Sequence, residues 1–203
     1  MALAMIVAGA VFDFFDGMSA RLLGVSSPIG KELDSLADVI TFGVAPSTML
    51  FYELLIIHYP DGMESLRQIL PFTAFIMAAF SALRLAKFNL DERQALGFIG
   101  MPTPANALFW GSLIVGYKDL LAEFPYTLYF LLLLMLFMSW LLVSEVPMFA
   151  LKFKDYSFAH NKLRYGFIIA SAALLLFAGW TGFSVVILLY ILTSLVANAV
   201  AKQ

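Results

Sequence analysis

"FDFFDGMSARLLGVSSPIGKELDSLAD" runs from Phe12 to Asp38. Four aspartates, Asp13, Asp16, Asp34 and Asp38, stand in it beside phenylalanines and leucines, with two glycines and an arginine between the pairs. Asp13 and Asp16 are three apart at the end of one apolar stretch, and Asp34 and Asp38 are four apart where the next begins. On helices both spacings put the side chains on one face. The stretch therefore reads as two neighbouring helices that direct carboxylates into one gap. An intramembrane charge costs about 2.5–3.5 kcal/mol on insertion scales, so four acids at a membrane edge require something cationic. Arg21 can neutralise one of them.

The rest of the chain sets the membrane context. Of 203 residues, 62% are hydrophobic and 13% charged, with a mean hydropathy of +0.91. A soluble domain is nearer half apolar and a quarter charged. There is too little polar surface here to cover a water-soluble globule, and a single all-α polytopic membrane domain over residues 1–203 is expected. The chain has no cysteine, which excludes disulfides and thiolate metal sites. The net charge of −2 says little about partners, and no basic run points to nucleic acid.

A membrane-crossing helix needs about 20 apolar residues, roughly 17 to 25. Seven stretches are candidates, the fourth and sixth of them short with ends that extend into neighbouring loops: Met1–Leu23, Val39–Ile57, Ile69–Leu85, Ala105–Tyr117, Pro125–Leu151, Tyr165–Gly179 and Gly182–Ala201. The last two are separated by a tight turn at "GWTG". With the Arg21–Lys31 loop cytoplasmic, Arg21, Lys31, Arg84, Lys87, Arg93, Lys152, Lys154, Lys162, Arg164 and Lys202 fall inside, and only Arg67 and Lys118 outside. This asymmetry fits the positive-inside rule. Seven spans with an inside C-terminus put Met1 outside within an apolar helix, which leads to the expectation of a further helix upstream.

Hard oxygen donors without Cys or His favour Mg²⁺, Mn²⁺ or Ca²⁺ over zinc. Two such ions can clamp a diphosphate during an in-line displacement. Gly17 and Ala20, and Gly30 on the next helix, lack bulk and would let a ligand approach the backbone. The competing reading makes the acids solvated loop charges and helix caps. It has most force for Asp34 near a helix start and least for Asp13 and Asp16 among phenylalanines.

The residues read D-x2-D-G-x2-A-R-x8-G-x3-D-x3-D from Asp13 to Asp38, which resembles the full signature of the CDP-alcohol phosphotransferases. "LDSLADVITFGVAPS" (Leu33–Ser47), "SALRLAKFN" (Ser81–Asn89), "FIGMPTPA" (Phe98–Ala105) and "VSEVPMFALK" (Val143–Lys152) resemble the membrane-embedded bacterial phosphatidylserine synthases of that family. The resemblance implies Asp13, Asp16, Asp34 and Asp38 around divalent metal, Mg²⁺ or Mn²⁺ and two ions, with Asp38 also the general base. It implies CDP binding by Asp13, Gly17, Ala20, Arg21 and Gly30. Serine would be held by cations, for which Arg84, Lys87 and Lys152 are candidates, with Asn89 as a hydrogen-bond partner. For the basic residues the plain alternative is snorkelling to the interface. The substrates implied are CDP-diacylglycerol and L-serine, the assembly a homodimer, and the location the bacterial inner membrane with the site on its cytoplasmic side.

Residue chemistry alone leaves rivals. Glycerol phosphate or inositol phosphate as acceptor would call for extra cations. A membrane prenyltransferase would carry a second Asp-rich block, which the later acids do not form. A cation transporter tends to place its acids near the midplane with repeat symmetry, and neither is visible. A noncatalytic scaffold leaves the aspartate spacing unexplained. His58 and His160 read as loop histidines, and Pro102 and Pro104 as helix breakers.

Overall fold

The protein is seen in a computed structural model, which describes residues 1–25, 27–91, 98–148, 157 and 161–201. Helix α1 (Ala2–Leu23) ends at Gly24, where Val25 N–H bonds to Ala20 C=O and Gly24 N–H to Arg21 C=O, a pairing that closes the last helical carbonyls. Ser27 then caps α2 (Pro28–Asp38), its hydroxyl accepting from Gly30 N–H at 3.0 Å, with Pro28 in the first turn, as Ser-Pro at a helix start should. A π-helical segment, Val39–Val44, carries the chain without a break into α3 (Ala45–Ile56). The second span thus starts at Pro28 and not at Val39. The cause of the π segment is Pro46, which has no N–H to give and whose ring opposes the carbonyl four residues back. The widened turn bonds Ala45 N–H to Ile40 C=O, and the Ser47 and Thr48 hydroxyls donate to the carbonyls of Gly43 and Val44.

Next come 3₁₀ turns at Glu64–Gln68 and Leu70–Ala74, then α4 (Phe75–Leu90), α5 (Thr103–Gly116), the short α6 (Lys118–Glu123) and α7 (Thr127–Val143). The hairpin of α8 (Lys162–Ala178) and α9 (Gly182–Ala201) turns through Gly179–Thr181, where "GWTG" predicts a turn. Among the described residues four helical runs are long and apolar enough to cross a membrane: Ala2–Leu23, Pro28–Ile56, Leu70–Leu90 and Lys162–Ala199. Six of the seven stretches expected from the sequence are helical almost throughout, and the fifth, Pro125–Leu151, is helical from Thr127 to Val143 and then turns into the Pro147–Met148 strand, with residues 149–151 outside the described residues; the protein is an integral membrane protein.

The core lies where α3, α4, α5, α7 and α9 meet. On α7, Leu131, Met135, Met138 and Leu142 are buried while Leu133, Leu136, Phe137 and Trp140 face outward, a helical stripe turned from lipid to protein. Trp110 of α5 is fully buried, edge-on to Phe109. Ser112 of α5 receives the N–H of Ser184 and donates to the turn before α9, so polar groups inside the bilayer satisfy one another.

A small element was not foreseen. Strand β1 (Phe98–Ile99) pairs antiparallel with β2 (Pro147–Met148). Next to it Gly100 N–H bonds to Val146 C=O and Met101 N–H to Leu141 C=O, closing the C-terminal end of α7. Gly100 has φ +74, and a Cβ there would stand 2.6 Å from the Leu142 carbonyl oxygen. Both the left-handed backbone and the close approach demand glycine. Gly100→Ala is expected to lower the thermal midpoint of the purified protein by roughly 5 °C; an unchanged midpoint would show that this lid on α7 does not contribute to stability.

Candidate active site

The site is built where α1 and α2 face each other. Just beyond α2, α1 presses on the π segment at Gly9 and Thr41, where a Cβ on Gly9 would lie 2.5 Å from the Thr41 Cγ2 methyl. Asp13 is one turn beyond Gly9 and Asp38 about one turn before Thr41, so an antiparallel register fixed here brings the two aspartate pairs together. Carboxylate oxygens of Asp13, Asp16 and Asp34 all lie within 4.8 Å of one another. Asp38 is outside that triple. It sits further into the protein, within electrostatic range of Asp13, Asp34, Asp16 and the Arg84 guanidinium.

From Gly9 and Thr41 the helices open toward their connection, and a cleft of about 1040 Å³ fills the gap. Asp16, Gly17 and Ala20 form one wall, Gly30, Asp34 and Ala37 the other, and Lys31 stands at its edge. Gly17, Ala20 and Gly30 therefore share one cavity with two of the acids. The Arg21 guanidinium folds back to 4.0 Å from where a Gly17 Cβ would stand, above the same wall.

Two unit charges about 5 Å apart repel by roughly 3 kcal/mol at an effective dielectric of about 20. That exceeds what an exposed ion pair returns, and no ion pair to these acids exists among the described residues. Three hard-oxygen donors converging from two helices, without a neutralising side chain among them, suit a divalent cation.

The four residues expected to hold an acceptor fare differently. Arg84 is 5% exposed; its Nε donates to the Met101 carbonyl at 3.0 Å, and its guanidinium lies over the Phe88 ring and within range of Asp38 and Tyr190. It is buried on the Asp38 side of the site and does not snorkel. Lys87 reaches the other way, donating to the Val143 carbonyl at the end of α7, a helix cap. Asn89 donates to the Ser35 hydroxyl, and its own carbonyl receives Lys31 Nζ at 3.1 Å, so it ties α4 to α2. Lys152 lies outside the described residues. Sequence reasoning missed Lys31 and Ser35 as partners of Asn89, for which no local signal exists, and Ser27 as the cap that orients α2, which "SSP" announces.

Comparison with known proteins settles the family. The family model for CDP-alcohol phosphatidyltransferase matches residues 1–201. The chain belongs to that family. Among its relatives, a Bacillus subtilis (strain 168) protein named CDP-diacylglycerol–serine O-phosphatidyltransferase is 44% identical over 103 residues, 51% of this chain and 54% of the relative. Proteins of the same name from Mycobacterium leprae (strain TN) and Methanocaldococcus jannaschii are 35% identical over 154 residues and 37% over 121. These alignments cover 72% and 60% of this chain but 48% and 52% of the relatives. The chain spans about half the length of the curated relatives it matches.

The carboxylate triple makes two predictions that do not depend on turnover. Saturating Mg²⁺ or Mn²⁺ is expected to raise the thermal midpoint by several degrees, the linkage expected for a ligand at about 100 times its Kd. Asp34→Asn removes a like charge, so the metal-free variant should melt no lower than the parent while losing that metal-induced rise. A full rise in the variant would dismiss Asp34 as a ligand. Gly9→Ala alters no carboxylate, yet by pressing on Thr41 it should reduce the metal-induced rise, and Thr41→Ser in the same chain should restore it. No effect of Gly9→Ala would mean that the crossing does not set the site.

Proposed function

We propose that the protein transfers the phosphatidyl group of CDP-diacylglycerol to the hydroxyl of L-serine, releasing CMP and forming phosphatidylserine. The observation that carries this is the convergence of carboxylates from α1 and α2 on a cleft walled by Gly17, Ala20 and Gly30. The names of the relatives supply the donor and the acceptor.

In this reading Asp13, Asp16 and Asp34 hold divalent ions, Mg²⁺ or Mn²⁺, with Asp38 at the inner side of the set. Bound there, the ions offset charge on the pyrophosphate and on the departing CMP. The small residues Gly17, Ala20 and Gly30 let the CDP moiety lie close to both helix backbones. Arg21, folded over Gly17, donates to phosphate, where its planar fork is well matched. Asp38 accepts the proton of the serine hydroxyl as the oxygen–phosphorus bond forms and the bond to CMP breaks. An alcohol is a weak nucleophile at neutral pH and needs such a base. Arg84, buried beside Asp38, offers its charge to the serine carboxylate. Lys87 and Asn89 act as positioning residues that hold α7 and α2 around the site. Lys152 keeps its place as a candidate cation on sequence grounds. The distribution of basic residues argues for a site open to the cytoplasm of a bacterial inner membrane, and the family resemblance for a homodimer.

The test supplies purified protein with CDP-diacylglycerol, Mg²⁺ or Mn²⁺ and a panel of alcohols, and measures CMP. Release is expected with serine and is abolished by EDTA. Release with glycerol 3-phosphate only would assign a different acceptor. Asp38→Asn is expected to reduce kcat by about 10²–10⁴, the usual worth of a general base, in protein that still inserts and elutes normally. Arg84→Lys keeps the charge but loses the fork and should raise the serine KM more than it lowers kcat. Normal turnover in Asp38→Asn would remove Asp38 as the base.

A further inference from the structure

A second pocket lies at the other end of the rod that carries Asp34 and Asp38. Glu53 is nineteen residues after Asp34, about 28 Å along a helix, so this pocket is at the opposite membrane boundary. Its volume is about 360 Å³ and it is lined by Glu53, His58, Arg67 and Lys118 over an apolar floor of Ile56 and Ile57. Arg67 and Lys118 are the two basic residues that the charge asymmetry of the loops sets apart from all the others, and both converge here.

Glu53 is 4% exposed and lines the pocket. Among the described residues its carboxylate has no hydrogen bond and no ion pair, and Lys118 is the cation within its electrostatic range. The carboxylate thus opens into the pocket without a protein partner there. Arg67 gives Nε to Glu64 at 3.2 Å and one N–H to the Leu55 carbonyl at 3.1 Å, and it stacks over Tyr59. Those bonds fix its fork and leave further guanidinium N–H groups. The charges balance: Arg67 and Lys118 against Glu53 and Glu64. A wholly anionic ligand would leave Glu53 uncompensated, whereas a zwitterion with an N–H-bearing cation next to a phosphate meets both signs.

We propose that this pocket binds the head group of an aminophospholipid, its ammonium on Glu53 and its phosphate on Arg67 and Lys118. The volume is at the small end of ligand pockets, roughly 300–1,000 Å³, which suits a head group whose acyl chains remain in the bilayer. A quaternary ammonium fits poorly because it has no N–H to donate to Glu53.

The test uses the whole protein in nanodiscs with equal amounts of dioleoyl phosphatidylethanolamine and dioleoyl phosphatidylcholine, and reads retained lipid by native mass spectrometry. The parent is expected to retain the ethanolamine lipid at least about tenfold over the choline lipid, the worth of a charge-assisted hydrogen bond. The isosteric Glu53→Gln should abolish that preference, and Lys118→Met should weaken retention of both lipids. Equal retention by the parent, an undiminished preference in Glu53→Gln, or displacement of the ethanolamine lipid by phosphatidylglycerol would overturn the assignment. Should Glu53→Gln fail to elute as a single species, the parent's preference and Lys118→Met decide the matter.

Discussion

The tight contact of α1 with the second helical run, at Gly9 and Thr41, is the constraint on which the site depends. Side chains on two antiparallel helices meet according to the point where the helices touch. Contact at Gly9 sets Asp13 and Asp16 on the side of Asp38 and Asp34, so that Asp13, Asp16 and Asp34 converge and Asp38 stands within electrostatic range of them. Without a side chain at position 9 the backbones draw near enough for short carboxylates to share a space. Beyond the contact the helices separate, and that divergence makes room for a ligand the size of a nucleotide diphosphate.

The remainder of the protein holds the second helix of this pair in place. Pro46 forces the π segment, which widens the helix immediately after Asp38 and lets Gly43 settle against Ser81 of α4. Lys31, Asn89 and Ser35 fasten α2 to the end of α4. Lys87, one turn after Arg84 and a step before Asn89, caps α7. Lys87 and Asn89, within one turn of α4, therefore support two neighbours, α7 and α2, while Arg84 is drawn inward by the Met101 carbonyl. Two of the four polar residues that the sequence offers as acceptor ligands are thus committed to structure.

The membrane helices were legible because lipid imposes a simple demand, long apolar runs, and the aspartates were legible because their spacing matches a helix turn. The start of the second helix was not. Residues Pro28–Asp38 alternate Ile29, Leu33 and Leu36 with charged neighbours, so hydropathy underrates a segment that is helical through its caps and its partners. The separate duties of Arg84, Lys87 and Asn89 could not be read either. Three polar residues within six positions look alike in sequence, and only the placement of α7 and α2 distinguishes them. The two-residue ladder at Phe98–Ile99 is too short to carry a periodic signal, though Gly100 marks the bend beside it. Glu53 lies inside an apolar run, where its meaning depends on Lys118, sixty-five positions away.

The carboxylate set occupies 26 consecutive residues on two helices joined by one short turn. Pairs so near in the chain find each other quickly, since little loop entropy opposes them. During biogenesis both aspartate pairs have thus been made once Ile56 has left the ribosome, before α4 arrives with Asn89 and Ser81 to brace the second helix. The later helices can then vary in sequence while the acidic pair of helices keeps its own local register.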